Sequence, residues 1–87
     1  GANIGDDSAI FEAVHGSAPD IAGKNLANPT SVILGAIQML EYLGMPEHAK
    51  RILAAVTDVI ASGDRTTRDL GGTGGTTDFT QAIIERL

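Results

Sequence analysis

The fold and the candidate site depend on one stretch of sequence, which reads Ala9-Ile10-Phe11-Glu12-Ala13-Val14-His15-Gly16-Ser17-Ala18-Pro19-Asp20. Residues 9–14 form a short, largely apolar run that is rich in strand formers, which predicts a buried strand. Residues 15–28 show little hydrophobic periodicity and contain glycine and proline, which predicts a long loop. Because ligands of α/β sheets bind beyond the carboxyl ends of the strands, this loop is the first candidate for a binding site.

Two helices are predicted after the loop. The first begins at Asn28-Pro29, because Asn accepts an orphan backbone N–H at the N-cap and Pro lacks an N–H that would be orphaned at the next position. It spans residues 30–43, carries few charges, is expected to be buried on most sides, and ends at Gly44. The second helix begins at Pro46 and ends at Gly63. Its apolar face, at three-to-four spacing, consists of Ala49, Ile52, Leu53, Val56, Val59 and Ile60.

A third helix is predicted after the glycine-rich segment at residues 71–75. Either Thr76 or Thr77 is its expected cap. Its expected apolar side consists of Phe79, Ala82, Ile83 and Leu87. The glycine-rich segment has two interpretations: its backbone N–H groups could cradle a phosphate, or it could be a flexible surface loop. The segment lacks the Lys and Ser/Thr of a P-loop and the spacing of a dinucleotide fingerprint, which favours the surface loop.

The predicted elements include only one strand, since residues 1–8 have the composition of a loop. A single strand leaves its backbone donors and acceptors without partners, so it needs neighbouring strands. We therefore expect residues 1–87 to be a single partial domain cut from a larger α/β protein, and the start at Gly1 rather than Met agrees with this expectation.

Composition narrows the function classes. The chain has 6 Lys and Arg against 11 Asp and Glu, a net charge of −5, which argues against nucleic acid and anionic membranes as partners. The longest mostly apolar run, residues 32–43, is too short to span a bilayer. Cysteine is absent, which excludes disulfides and thiolate metal sites and fits a reducing, cytoplasmic compartment.

The residue types of the loop suit a nucleoside. A His15 ring can stack on a base, Gly16 allows close backbone approach, and Asp20 could accept hydrogen bonds from a ribose diol. The alternative is an ordinary turn, because His-Gly and Pro-Asp pairs are common in turns and Asn28 is also the expected cap. His48 is expected to be a solvated surface residue, since neither histidine has metal-ligand spacing.

Residues 11–24, followed by Ala27-Asn28-Pro29, resemble the adenosine-binding loop of the β-decarboxylating dehydrogenases, a family that contains isocitrate, 3-isopropylmalate and homoisocitrate dehydrogenases. The resemblance continues through the next helix and through residues 68–72 to the end of the chain. It implies an α/β fold, namely the C-terminal part of the large α/β/α domain of the isocitrate/isopropylmalate dehydrogenase fold.

The resemblance also implies how the loop would hold a cofactor. His15 would pack against the adenine side, Asp20 would bind the adenosine ribose hydroxyls, and Asn28 would hydrogen-bond adenine. Ile21 would lie against the sugar and the base.

The remaining implied contacts involve small residues and one acidic residue. Gly16, Ser17 and Ala18 would line the adenosine pocket. Glu12 has two interpretations, either a contact with the nicotinamide-side ribose or a buried polar residue that pairs with the loop backbone.

The implied cofactor is NAD, because NADP-dependent relatives place Lys and Tyr where this chain has Asp20 and Ile21. A carboxylate at Asp20 would repel a 2′-phosphate and accept hydrogen bonds from a free diol. Arg68 is evidence for NADP, because a cation could contact the phosphate, but Asp20 outweighs it. Residues 1–5, residues 9–14 and Thr67-Arg68-Asp69 are more similar to isocitrate dehydrogenases than to isopropylmalate dehydrogenases. The alternative is an isopropylmalate or homoisocitrate dehydrogenase.

In this family the substrate arginines, the catalytic Tyr and Lys, and the aspartates that hold Mg²⁺ or Mn²⁺ lie upstream of the segment that this chain resembles. We therefore expect no catalytic or metal-binding residue here, no activity of the segment alone, and a parent that binds isocitrate and forms a homo-oligomer. The competing hypothesis is a helical module that self-associates through the apolar faces of its first two helices and its unpaired strand.

Overall fold

A computed structural model that describes all 87 residues shows a β-hairpin followed by three α-helices. A single turn of 3₁₀-helix, Arg68–Leu70, lies between the second and third helices. The elements are β1 (Ala2–Ile4), β2 (Ala9–Phe11), α1 (Thr30–Tyr42), α2 (Pro46–Ser62) and α3 (Thr76–Ile84). No helix has both the length and the apolar character needed to cross a membrane.

The hairpin corrects the prediction for the first part of the chain. The predicted strand at residues 9–14 ends at Phe11, and the predicted loop at residues 1–8 contains its antiparallel partner, with Ala2 opposite Phe11 and Ile4 opposite Ala9. The Gly5 N–H donates to the Ser8 carbonyl at 2.7 Å and closes the turn. Three residues are too few to show a strand periodicity, which is why β1 has no sequence signal.

Helix α1 begins near the predicted position and packs against the end of β2. Pro29 rather than Asn28 is the N-cap residue, one position later than predicted, and the Asn28 Oδ1 atom accepts the backbone N–H of Thr30 at 2.8 Å from just before the helix. Gly35 faces the hairpin, where an added Cβ would lie 3.2 Å from the Glu12 carbonyl oxygen. Burial on most sides was the wrong expectation, because only Gly35 and Ile37 are buried in α1.

Helices α2 and α3 form the core. Pro46 is the first residue of α2, and Gly63 ends it with φ +71°, both as predicted. The core cluster consists of Ala55, Val56, Val59, Phe79, Ala82 and Ile83. Three residues predicted for the apolar faces, Leu53, Ile60 and Leu87, are 44%, 41% and 52% exposed. The molecule measures only 16 Å along its shortest axis, so each helix has neighbours on a single face.

An ion-pair cluster joins the C-terminal ends of α2 and α3. Arg65 pairs with Asp64 at 3.1 Å and with Glu85 at 2.7 Å, and Arg86 pairs with Asp58 at 2.5 Å and with Asp64 at 3.1 Å. Hydrogen bonds from Arg65 lower the pKa of both the Asp64 and the Glu85 carboxyl groups. The cluster bridges the C-terminal ends of the two helices at the surface of the molecule.

Candidate functional site

The long loop borders an open cleft of about 1500 Å³ that also includes one face of α1 and the 3₁₀ turn. Most of the residues implied by the resemblance line this cleft: His15, Gly16, Ser17, Ala18, Ile21 and Asn28. The side chains of Leu34, Ile37 and Leu53 add an apolar wall, and Arg68 and Asp69 lie at the 3₁₀ side. A cleft with apolar walls and a few polar groups is the usual form of a small-molecule site.

Two successive turns shape the loop. The Ile21 N–H donates to the Ala18 carbonyl at 3.0 Å, so Pro19 and Asp20 occupy the centre of the first turn. The Lys24 N–H donates to the Ile21 carbonyl at 3.1 Å, with Gly23 at φ +76° in the second turn. Ala18 itself has φ +44°, a conformation that L-residues seldom adopt. A strained backbone at a cleft is typical of functional sites.

Asp20 lies at the exposed centre of the first turn and makes no hydrogen bond or ion pair within the chain. It does not line the cleft itself, although the next residue, Ile21, does. Its carboxylate is therefore available to hydroxyl groups of a ligand at the edge of the cleft.

Glu12 lies apart from the other candidates. Its side chain is exposed and does not line the cleft. The interpretation that Glu12 is a buried residue paired with the loop backbone is therefore wrong. Its backbone N–H donates to the Gly1 carbonyl at 2.9 Å, as a continuation of the hairpin. A role for Glu12 at a cofactor stays a prediction.

The exposed His15 ring lies beside the Gly16 backbone. Its Nδ1 atom is 2.7 Å from the Gly16 carbonyl oxygen, which can only accept a hydrogen bond, so this contact is a hydrogen bond in the tautomer that carries the proton on Nδ1. In the neutral ring Nε2 is then a free acceptor. The ring can therefore offer both a flat face and an acceptor atom to a ligand in the cleft.

Asn28 connects the loop to the 3₁₀ turn. Its Oδ1 atom accepts the Thr30 N–H at the start of α1, and its Nδ2 atom donates to Asp69 Oδ2 at 3.0 Å. Asp69 Oδ1 accepts the hydroxyl of the fully buried Thr67 at 2.5 Å. The Thr67 hydrogen bond, followed by that of Asn28, lowers the pKa of the Asp69 carboxyl group. Asp69 was not among the candidate site residues, and the sequence carries no signal that it meets Asn28.

The glycine-rich segment at residues 71–75 is an irregular loop with Gly71 and Thr73 exposed, as the surface-loop interpretation predicted, and most of its N–H groups are already used within the chain. The N–H groups of Gly71, Gly72 and Gly74 donate to carbonyls at 2.9 to 3.0 Å. A Cβ on Gly72 would lie 2.0 Å from the Thr66 carbonyl oxygen, and one on Gly74 would lie 2.3 Å from that of Arg65. Glycine is required here because the backbone folds tightly onto residues 65–67.

The cap of α3 also differs from the prediction. Gly75 is the N-cap residue, and its N–H donates to Asp78 Oδ2 at 2.9 Å. The Thr77 N–H donates to the Asn25 side chain at 3.0 Å, and the Thr76 N–H donates to the Asn25 carbonyl at 3.0 Å. The long loop therefore supplies the capping group that Thr76 or Thr77 was expected to supply.

No group of three or more His, Cys, Asp or Glu side chains is arranged to hold a metal ion. His48 is exposed near the start of α2, as predicted. The expectation that metal ligands are contributed by residues outside this segment stays an expectation.

Comparison with known proteins identifies the family of this chain. The family model described as isocitrate/isopropylmalate dehydrogenase matches residues 1–83. The chain therefore belongs to the isocitrate/isopropylmalate dehydrogenase family, as the resemblance indicated. The two short strands and three helices match a fragment of that fold.

Similar proteins in other organisms include NAD-linked enzymes. The chain is 56% identical to isocitrate dehydrogenase [NAD] subunit 2, mitochondrial, of Kluyveromyces lactis, over 99% of this chain and 24% of that protein. It is 59% identical to the isocitrate/homoisocitrate dehydrogenase of Thermus thermophilus, over 98% of this chain and 25% of that protein. The chain thus spans about a quarter of the length of the curated relatives it matches.

Solved structures of the same family superpose on this chain. The crystal structure of isocitrate dehydrogenase from Methylococcus capsulatus superposes with a TM-score of 0.93 at 53% identity, over 98% of this chain and 26% of that chain. A β-decarboxylating dehydrogenase from Thermococcus kodakarensis superposes with a TM-score of 0.89 at 46% identity, over 98% of this chain and 25% of that chain.

Proposed function

We propose that this chain supplies the adenosine half of the NAD site in an NAD-dependent isocitrate dehydrogenase. The observation that carries the proposal is the free Asp20 carboxylate at the edge of a cleft lined by His15, Ile21 and Asn28. The relatives named NAD-dependent isocitrate dehydrogenases support both the cofactor and the substrate. Residues 15–28 are the proposed binding loop.

The residues present suit an adenosine. Asp20 can accept hydrogen bonds from both ribose hydroxyls, and the His15 ring and Ile21 side chain can contact the flat base from the cleft. Gly16, Ser17 and Ala18 are exposed and leave room for close approach of a ligand to the backbone. An added Cβ on Gly16 would meet no atom within 4 Å, so that space is open.

The structure narrows how Asn28 would bind adenine. Its Oδ1 atom already accepts from Thr30, and one Nδ2 hydrogen is used by Asp69. The second Nδ2 hydrogen and the backbone N–H and carbonyl of Asn28 make no hydrogen bond within the chain. We therefore assign adenine to these three groups, on a residue held in place by its bonds to Thr30 and Asp69.

The same geometry favours NAD over NADP. The 2′-phosphate of NADP would approach the Asp20 carboxylate, and no Lys or Arg pairs with Asp20 to cancel its charge. Arg68 also lines the cleft, on the side of the 3₁₀ turn. A single cation there leaves the repulsion from Asp20 in place at the ribose hydroxyls.

The proposed reaction is the oxidative decarboxylation of isocitrate to 2-oxoglutarate. In such a reaction NAD accepts a hydride from the 2-hydroxy acid, and bound Mg²⁺ or Mn²⁺ supplies Lewis-acid stabilisation during loss of CO₂. This chain holds and orients the adenosine end of the cofactor, and we expect the isolated segment to be inactive. The alternative substrates are 3-isopropylmalate and homoisocitrate, the latter supported by the similarity to the isocitrate/homoisocitrate dehydrogenase of Thermus thermophilus.

The test is a steady-state assay of the intact protein that carries this chain, with Mg²⁺, NAD or NADP, and each of the three hydroxy acids in turn. We expect the highest kcat/KM with isocitrate and NAD. Preference for isopropylmalate or homoisocitrate would replace the substrate and keep the cofactor assignment. Reduction of NADP in preference to NAD would overturn the role of Asp20, and no reduction of either would overturn the enzyme proposal.

The compartment and the assembly state are also proposals. The absence of cysteine supports a reducing cytoplasm, whereas several relatives are named mitochondrial. Fractionation of the source cells distinguishes the two compartments. We propose a homo-oligomer of the intact protein, which sedimentation velocity tests directly.

One observation favours the second candidate function, a self-associating helical module. Three apolar side chains on the first two helices are exposed: Val32 on α1 (54%), Leu43 at the C-terminal end of α1 (59%) and Leu53 on α2 (44%). Exposed apolar residues on neighbouring helices are typical of surfaces that another segment covers. Concentration-dependent sedimentation of the 87-residue chain without NAD binding would support this module, whereas a monomer that binds AMP would refute it.

A further inference from the structure

We propose that Asn25 is a positioning residue for the NAD-binding loop, because it fastens the C-terminal half of that loop to the N-terminus of α3. This inference rests on the proposed function and extends it to a residue outside the implied contact set. Asn25 also lines the cleft, together with Ala27 and Thr76.

Three hydrogen bonds form the Asn25 contact with α3, which we call the Asn25 clasp. The Asn25 carbonyl accepts the Thr76 N–H at 3.0 Å, and Asn25 Oδ1 accepts the Thr77 N–H at 3.0 Å. In return, Asn25 Nδ2 donates to Thr77 Oγ1 at 2.9 Å. The Thr76 hydroxyl adds a bond to the Ala27 carbonyl. The first two bonds satisfy N–H groups that a helix cannot satisfy internally.

The backbone on both sides is suited to this contact. Asn25 has φ +57°, a left-handed conformation that Asn tolerates better than most residues. Gly75 lies directly opposite, where an added Cβ would be 2.6 Å from Asn25 Nδ2 and 2.7 Å from its carbonyl oxygen. Any side chain at Gly75 would push the loop away from α3.

The clasp controls where the loop lies over the cleft. The loop has one attachment at its start, where the Val14 N–H donates to Ser31 Oγ at 2.8 Å, and one at its end, where Asn28 bonds Asp69. The turn that presents Asp20 is held only by short-range bonds within residues 18–24. Asn25 is the first residue after this turn that is bonded to another element, so it determines where the turn that carries Asp20 and Ile21 lies relative to the cleft.

The test compares Asn25→Gly and Asn25→Asp in the intact protein that carries this chain. Gly adopts the same φ without strain, so Asn25→Gly removes only the side-chain bonds. Asp retains the acceptor for the Thr77 N–H. We expect Asn25→Gly to raise the KM for NAD about ten-fold, with the KM for the hydroxy acid unchanged, because a loop that must be ordered on binding weakens affinity. Asn25→Asp should recover part of this loss.

Gly75→Ala approaches the clasp from the other side and should give the same selective rise in KM for NAD. Gly44→Ala is the control for a general loss of stability, because Gly44 has φ +75°, which Ala disfavours, and its added Cβ meets no atom within 4 Å. The control should lower thermal stability and leave both KM values unchanged.

Hydrogen exchange supplies a readout that needs no cofactor. Asn25→Gly should increase exchange at the amides of Ile21, Lys24 and Thr77 in the protein without ligand. Unchanged exchange and an unchanged KM for NAD would overturn the clasp, as would an equal rise in the KM for NAD and the KM for the hydroxy acid. If the wild-type protein binds no NAD, the proposed function fails, and exchange alone then decides whether Asn25 holds the loop.

Discussion

Replacement of Asp20 by Ala tests the proposed cofactor site most directly. The Asp20 carboxylate is exposed and has no partner within the chain, so its removal should leave the free energy of unfolding nearly unchanged. Its proposed partners are the two hydroxyls of the adenosine ribose. The substitution should therefore weaken NAD binding without weakening the fold.

The magnitude follows from the charge and exposure of Asp20. Loss of hydrogen bonds to a charged acceptor costs about 1.5–3 kcal/mol, which corresponds to a rise of about 10- to 150-fold in the Kd for NAD. For NADP the effect is opposite. Repulsion between the carboxylate and a phosphate dianion at about 5 Å in screened water is on the order of 1 kcal/mol, so Asp20→Ala should tighten NADP binding about five-fold.

Isothermal titration of the intact protein with NAD and with NADP measures both changes, and thermal melting measures stability. Asp7→Ala is the control, because Asp7 is also an exposed acidic residue without a partner, placed in the hairpin turn. Equal affinity for NAD in the Asp20→Ala and wild-type proteins would refute the role of Asp20. A melting temperature lowered by Asp20→Ala but not by Asp7→Ala would show that Asp20 supports the fold instead.

Three further predictions concern stability. Phe79 is fully buried between α2 and α3, so Phe79→Ala should lower the free energy of unfolding by about 3–5 kcal/mol in urea titrations, whereas a loss below 1 kcal/mol would show that this core contributes little. Asp64 and Glu85 have pKa values lowered in the fold by Arg65, so their contribution is complete above their usual pKa values of 3.8 and 4.5 and is lost as the pH falls through and below them. Urea midpoints measured against pH should therefore fall less steeply in acid for Arg65→Met, and identical slopes would contradict the ion-pair account. Gly72→Ala places a Cβ 2.0 Å from the Thr66 carbonyl oxygen and should abolish soluble expression or greatly lower the melting temperature, while a melting temperature equal to that of the wild type would show that the segment is flexible after all.

The helices could be predicted from the sequence because their signals are local. Pro46 and Gly63 bound α2 by the rules for helix ends, and Phe79, Ala82 and Ile83 repeat at helical spacing on a face that is buried. Strand β1 could not be predicted, since Ala2-Asn3-Ile4 is identified only by its pairing with β2. The exposure of Leu53 and Ile60 also could not be predicted from the sequence, because a periodic pattern does not show which apolar positions have neighbours in the fold.

Residue types and the family resemblance identified the candidate loop at residues 15–28, and most of its predicted site residues line the cleft. What the sequence could not show is which side chains are already used by the protein itself. Asn28 was a candidate both for adenine and for the cap of α1, and the structure shows that its Oδ1 atom accepts the Thr30 N–H at the start of the helix. The glycine-rich segment suggested flexibility, but its glycines permit tight packing on residues 65–67.

The sequence by itself determined the three helices, the long loop after the hairpin, and the family to which the chain belongs, because these depend on neighbours along the chain and on long matching motifs. Only the tertiary structure decided how the loop is held. The Asn25 clasp joins residues 52 positions apart, and the Asn28–Asp69 bond joins residues 41 positions apart. Such contacts depend on how helices pack in space, and neither composition nor periodicity encodes the distance between segments that meet only after folding.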